Sequence, residues 1–353
     1  MYINRKEVVM KRLKLGSKTL NIKGDSLKRL IDSALSLKKM TRASVAARGS
    51  VSLATAGKLL SALDECRITR LEYKRDNGVG SPSKAHVFRG EISTLVLDFS
   101  SPVYSASIIS GKDQKLISEN YSPDPSLSFE GNATVFLSKV GQKMALLPYS
   151  ASSVCTIIAD SPECTPKVSS HASAYLPDLY DMDIVNDLCV QFFGATPTIC
   201  LTHAQAIKCA LKYDVFEPSI KGESISHIRI SDTLAATHLP QHSSPLALRL
   251  NKMMINGENL SSRLSKAQDT DELASVISHI ISLIDCAHES DVIVIEYDIG
   301  RFGGIEERIG QTFRAARIPT PHIAYFDLCP QSTVIGAANE ALSSLIKAQI
   351  TGV

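Results

Sequence analysis

Thr41–Leu63, TRASVAARGSVSLATAGKLLSAL, is the stretch on which the reading of this chain turns. It reads as two short helices joined by a tight turn. Thr41 caps the first, which runs from Arg42 to Ala47 with Val45 and Ala46 as its apolar side. Gly49 and Ser50 loosen the backbone, and Val51 plugs the corner. Ser52 suits the N-cap of a second helix, because its hydroxyl can satisfy an amide left unpaired in the first turn. There Ala56, Leu59, Leu60 and Leu63 fall at helical spacing on one face. Thr55, Lys58 and Ser61 lie to the other side, with no acidic residue among them. A helix that buries one face and presents small polar and basic groups on the other suits a DNA major groove. A short helix pair can equally be plain core, so the flanking charge has to decide.

The formal net charge of +2 hides an asymmetry. Residues 1–90 hold 20 of the 38 Lys+Arg and 7 of the 36 Asp+Glu, a formal +13 against −11 for the remainder. A basic head on an acidic body is the electrostatic footprint of polyanion binding. A solvated basic face without a partner is the alternative. Working outward, residues 1–24 read as a basic arm. Asp25–Met40 reads as a helix with Leu27, Leu30, Ile31, Ala34 and Leu35 as its stripe. Beyond the pair, Ile68–Lys74 and Ala85–Phe88 read as strands around the turn region Arg75–Lys84, whose strongest signal is Asn77-Gly78. Three helices and a basic hairpin over residues 25–90 make a winged helix-turn-helix. Its expected DNA contacts are Arg42, Ser52, Thr55 and Lys58 from the helices and Lys74, Arg75 and Lys84 on the wing.

At 353 residues with 44% hydrophobic content, the chain has material for two or three domains with a substantial core. Eight cysteines without a Cys-x-x-Cys point to reduced, buried thiols and a cytoplasmic location rather than a disulfide framework. The basic first residues lack the apolar run of a signal peptide, and no segment approaches ~20 apolar residues, so no membrane span is expected. In the body, Ile92–Phe99 reads as a buried strand, followed by strands at Val103–Ile109 and Lys115–Ser118. Ser- and Pro-rich loops are read at Tyr121–Ser128 and Asp160–Ser170, around the apolar segment Val154–Ala159. Helices are read at Asp181–Phe193, His203–Tyr213, Leu246–Ile255, Asp271–His288, Ile305–Arg317 and Val334–Gln349. Strands fall at Thr198–Leu201, His227–Ser231, Val292–Tyr297 and Ile323–Asp327. Such alternation gives an α/β body.

The helix pair, the wing, the strand ending in Asp98 with its meander, and the closing VIGAANEALSSLIKA together resemble the ROK family of repressors, open reading frames and sugar kinases. The resemblance covers most of the chain in order and is clearest at its two ends. It implies a two-lobed, actin-like ATPase fold over residues 91–353, with one lobe at about 91–205 plus the final helix and the other at about 206–333. Members with a winged helix-turn-helix head resemble transcriptional regulators of sugar metabolism; those without it are usually sugar kinases.

Departures from the family pattern bear on function. Its first phosphate loop has an Asp, then Gly and Thr; here Asp98-Phe-Ser100-Ser-Pro102 lacks both. Its second phosphate loop is glycine-rich, because amides approach phosphate only where side chains are absent. The matching Ile230–Thr237 holds no glycine. The catalytic Asn-Asp pair falls on Thr202-His203, and His203 reads as a satisfied interior or cleft-side residue. The family's zinc site needs a cysteine cluster with a histidine; His238 and His242 have none to join, so no metal is expected. Gly300, Gly303 and Gly304 form either an anion-holding turn or simply a turn. In the head, Gly57 replaces a small hydroxylated residue, and Gly80-Ser81-Pro82 lacks the wing arginine.

These features favour a cytoplasmic, DNA-binding transcriptional regulator with a catalytically inactive kinase-like body. It would act as a homodimer or higher oligomer on a palindromic operator, with a sugar-like effector as a further ligand and no cofactor. An active sugar kinase with a fused head, and an architectural DNA-binding protein, are the alternatives.

Overall fold

A computed structural model describes residues 24–351 apart from 38, 75–82, 102, 112–114, 149, 160–181, 195, 214–223, 231–233, 240–253, 256–257, 260–268, 288–289, 298–302 and 328–330. The basic arm up to residue 23, Arg75, Pro102, residues 231–233 of the second phosphate loop and the turn at Gly300 therefore lie outside the described residues. The chain divides into two compact units, one of residues up to Ile92 with Ser343 onward, the other Ser93–Leu342.

In the first unit, α1 (Gly24–Leu35), α2 (Arg42–Gly49) and α3 (Leu53–Glu65) precede the antiparallel pair β1 (Thr69–Lys74) and β2 (Ser83–Phe88). Thr41 and Ser44 form a capping box at the start of α2, and the Ser52 hydroxyl accepts from the Thr55 amide at the start of α3. Leu27, Leu30 and Ile31 of α1, Val45 of α2, and Leu59, Leu60 and Leu63 of α3 are all buried. The helix expected to reach Met40 ends at Leu35. Met40 instead exchanges both backbone hydrogen bonds with His86, so strand pairing overrides helical propensity there. Ser343 donates to Asp32 Oδ1 at 3.0 Å.

The second unit holds two sheets. The first runs β5 (Lys115–Tyr121), β4 (Tyr104–Ser110), β3 (Ser93–Asp98), β6 (Ser153–Ile158) and β7 (Thr198–Thr202). Its meander β3–β4–β5 is antiparallel, whereas β3–β6–β7 is parallel. Helices α4 (Phe129–Met144) and α5 (Met182–Phe193) cover one face, where Phe99, Tyr104, Phe129 and Phe136 pack edge to face. The second sheet is ordered β13 (Ile323–Asp327), β12 (Val292–Tyr297), β8 (Ile225–Ile230) and β9 (Leu234–Leu239), parallel except for the β8–β9 hairpin. Helices α7 (Thr270–Ala287) and α8 (Ile305–Ala316) pack on it.

Helix α6 (His203–Lys212) joins the two sheets. Its Ala206 packs with Val96, Cys155 and Ile157 of the first sheet and with α9 (Gln331–Thr351). Its Ile207 and Leu211 pack with Ile225, Val292 and Val294 of the second. Backbone contact fixes the α6–α9 crossing: a Cβ on Gly336 would lie 2.3 Å from the amide nitrogen of Ala210.

Three sequence expectations are corrected. Residues 129–144, unassigned in sequence, form α4, capped by Ser128 and buried through Phe129, Ala133, Phe136, Leu137 and Val140; Gly131, Gly141, Thr134 and Val135 had masked the helical pattern. Of Ile230–Thr237, matched to a phosphate loop, Ile230 ends β8 and Leu234–Thr237 lie on β9, the strand paired to it. Met254–Ile255, expected at the end of a helix, belongs to the short strand β10, which pairs with β11 (Glu258–Asn259).

Candidate functional site

Two places gather the residues singled out in sequence. In the head, α3 turns Ala56, Leu59, Leu60 and Leu63 inward and leaves Ser52, Leu53, Ala54, Lys58 and Ser61 exposed, with Thr55 half-buried. Arg42 is exposed at the start of α2, and its side chain lies across α3 at Gly57: a Cβ there would be 3.1 Å from Arg42 Nε. The missing side chain at 57 thus gives the guanidinium its seat. Lys74 ends β1, and exposed Lys84 on β2 sits 5.6 Å over the Tyr73 ring.

In the body, the positions matched to the kinase motif come together although they differ from it. Asp98 ends β3, and its Oδ1 accepts from the backbone amide and hydroxyl of Ser100 at 2.8 and 2.6 Å. Thr202 caps α6 in a box with Gln205, which places His203 on the first turn. Ser100 Oγ lies 3.0 Å from His203 Nδ1. The serine's single proton goes to Asp98, so His203 Nδ1–H is the donor in that contact. The opposite nitrogen, Nε2, lies 2.8 Å from Glu296 Oε2 on β12.

Two residues of β8 complete the group. His227 Nε2 lies 3.2 Å from the same Glu296 oxygen, and Arg229 Nε lies 3.6 Å away. Arg229 Nη1 reaches the Ser100 carbonyl at 3.5 Å. Asp98, Ser100, His203, His227 and Glu296 are all buried. Burial alone would strip the proton from His203, but the facing Glu296 charge and hydrogen bond hold its pKa above that of an ordinary histidine. Burial would likewise raise the Glu296 pKa, yet His203 above all, with His227 and Arg229, holds it well below the usual carboxylate range. The result is a buried histidine–carboxylate pair, with a second histidine and an arginine on the same carboxylate oxygen.

Sequence reasoning found Asp98, Ser100, Thr202 and His203 and missed His227, Arg229 and Glu296. His227 and Arg229 lie together on β8, but Glu296 lies on β12 far along the chain, and no spacing motif links them. The one available signal was a charged residue inside the otherwise apolar run Val292–Tyr297.

No protein-family model matches the chain, and no curated protein sequence is significantly similar to it. Solved structures do match. A ROK family transcriptional regulator, homolog of the E. coli MLC protein, superposes with a TM-score of 0.63 over 93% of this chain and 100% of its own, at 12% identity. The chain has the ROK fold. A ROK family protein from Streptococcus pneumoniae TIGR4 in complex with sucrose matches over 72% of this chain and 99% of its own, with a TM-score of 0.50 at 8% identity. No helix among the described residues is long and apolar enough to cross a membrane.

Proposed function

We propose that this chain is a DNA-binding transcriptional regulator of the ROK family whose body does not transfer phosphate. The observation that carries the reading is α3, capped by Ser52, with Ala54, Lys58 and Ser61 exposed along one side, in a head of formal charge +13. That combination suits insertion into a major groove, with Arg42, Thr55, Lys74, Arg75 and Lys84 at flanking phosphates and base edges. The regulator named above, which matches along almost the whole of this chain, supports the same reading. The partner is duplex DNA bearing a palindromic operator, met by a homodimer in the cytoplasm. A sugar-like molecule is the natural effector class.

Kinase activity is disfavoured by chemistry. Phosphoryl transfer depends on backbone amides and metal held close to the phosphates and on a base for the attacking hydroxyl. Here Ser100 is tied to Asp98, and both ring nitrogens of His203 are engaged, Nδ1 by Ser100 and Nε2 by Glu296. An imidazole held at both nitrogens is not positioned to take the proton of an attacking hydroxyl.

The Lys58→Glu variant should lose sequence-specific binding while remaining folded, since Lys58 is exposed. Footprinting of the wild type should show a symmetric site, with affinity falling steeply as salt rises. An asymmetric site bound by a monomer would overturn the dimeric reading. Magnesium-ATP titration and a coupled assay over hexoses and amino sugars should show neither micromolar binding nor turnover, and observing both would overturn the inactive body.

A further inference from the structure

The buried cluster around Glu296 has the make-up of a metal centre. His203 Nε2, His227 Nε2 and a Glu296 carboxylate oxygen lie within 4.8 Å of one another, and all three side chains are buried. The two nitrogens stand 2.8 and 3.2 Å from the same oxygen, Oε2. Ligand atoms around a tetrahedral ion with bonds of about 2.0–2.1 Å stand roughly 3.3 Å apart, so the His227 nitrogen has nearly that spacing from Oε2 and the His203 nitrogen falls about 0.5 Å short of it.

Two further observations point the same way. His203 is held from behind: its Nδ1–H donates to Ser100, whose proton goes to Asp98. An imidazole held at Nδ1 by a hydroxyl that is itself anchored to a carboxylate leaves Nε2 as the ligand atom, and metal-binding histidines are typically held at the opposite nitrogen in this way. Arg229 supplies the second. Its Nε–H is buried and has no hydrogen-bond acceptor among the described residues, although it lies 3.6 Å from the same Glu296 oxygen. An orphaned buried donor is costly, and an anion or hydroxide at a fourth coordination position would satisfy it. The charges then balance: a divalent ion and the guanidinium offset two carboxylates and one anionic ligand.

We propose that His203, His227 and Glu296 bind one zinc-class divalent cation, with Arg229 holding an anionic fourth ligand. Two imidazoles and one carboxylate suit zinc, whereas magnesium and calcium take oxygen ligands. The ion ties α6 to β8 and β12. This site is independent of whether the head binds DNA.

The test uses the full chain, stripped with chelator and titrated with cobalt(II). One equivalent should bind with the visible absorption of a four-coordinate ion and no thiolate charge-transfer band. Added zinc should displace the cobalt and raise the melting temperature of the stripped protein. His227→Gln and Glu296→Gln, checked for folding by circular dichroism, should lose the spectrum. Cobalt that washes out of the wild type on gel filtration overturns the proposal. So does a thiolate band, which would put the metal on cysteine, or equal binding by folded His227→Gln. The wild-type spectrum decides alone if both variants fail to fold.

Discussion

Replacing Gly336 with alanine tests whether α6 and α9 meet backbone to backbone. The added Cβ would lie 2.3 Å from Ala210 N, 2.6 Å from its Cα and 2.8 Å from its Cβ. The nearest obstacles are backbone, which no rotamer change removes. Reaching ordinary contact needs a separation of about 1 Å, enough to forfeit a quarter to a half of the dispersion energy of each contact across the seam. The seam includes Val334, Ala337, Ala338 and Ala341 against Val96, Cys155, Ile157 and Ala206. Overpacking costs typically 1–3 kcal/mol, and rigid backbone puts this site at the upper end. The gain in helix propensity from glycine to alanine returns about 1 kcal/mol, leaving a net loss of about 2 kcal/mol. Gly141 in α4 is the matched control, because a Cβ there meets nothing within 4 Å. Gly141→Ala should stabilise by up to ~1 kcal/mol. Urea unfolding followed by circular dichroism measures both. If Gly336→Ala proves as stable as wild type, or gains stability as the control does, the backbone contact is refuted.

Other outcomes follow from local chemistry. Thr41→Ala removes one half of the α2 capping box and should cost about 1 kcal/mol in urea unfolding, with Thr41→Ser nearly neutral. Burial pushes the Cys66 thiol up to about 11 and Cys189 to about 12, and Cys155 well above its ordinary value. At pH 8 the Cys66 thiolate is then on the order of one part in a thousand, so exposed Cys286 should alkylate first among these. Mass spectrometry that found Cys66 or Cys189 labelled as fast as Cys286 in native protein would contradict their burial. Gly57→Val should displace the Arg42 side chain and weaken DNA binding, while Gly57→Ala, needing a shift of only a few tenths of an ångström, should do so less.

Elements whose apolar pattern is local were legible in sequence. Leu59, Leu60 and Leu63 marked α3, and Val292–Tyr297 announced its own strand. What escaped depended on partners far away. Met40 left the helical pattern because His86, on the second strand of the hairpin, takes its backbone bonds. Glycines at 131 and 141 hid α4, whose stability comes from Phe99 and Tyr104 beneath it rather than from propensity. In the charged cluster, Asp98, Ser100 and His203 were visible as departures from a motif. Glu296 and Arg229 carried no such mark, because registry between β8 and β12 brings them opposite each other and no sequence spacing encodes that.

That registry also bears on how the chain acquires its shape. Ile225 pairs with Val292, so one flank of β8 waits for a strand synthesised 67 residues later, whereas its other flank closes at once through the short hairpin to β9. Until β12 arrives, β8 is an open edge carrying Ile225, Ile228 and Ile230, the kind of segment that recruits other chains. His227 and Arg229 interrupt that apolar row, and a charge within such a strand acts as a gatekeeper against association. The polar residues that later converge on Glu296 therefore serve the nascent chain before the site exists.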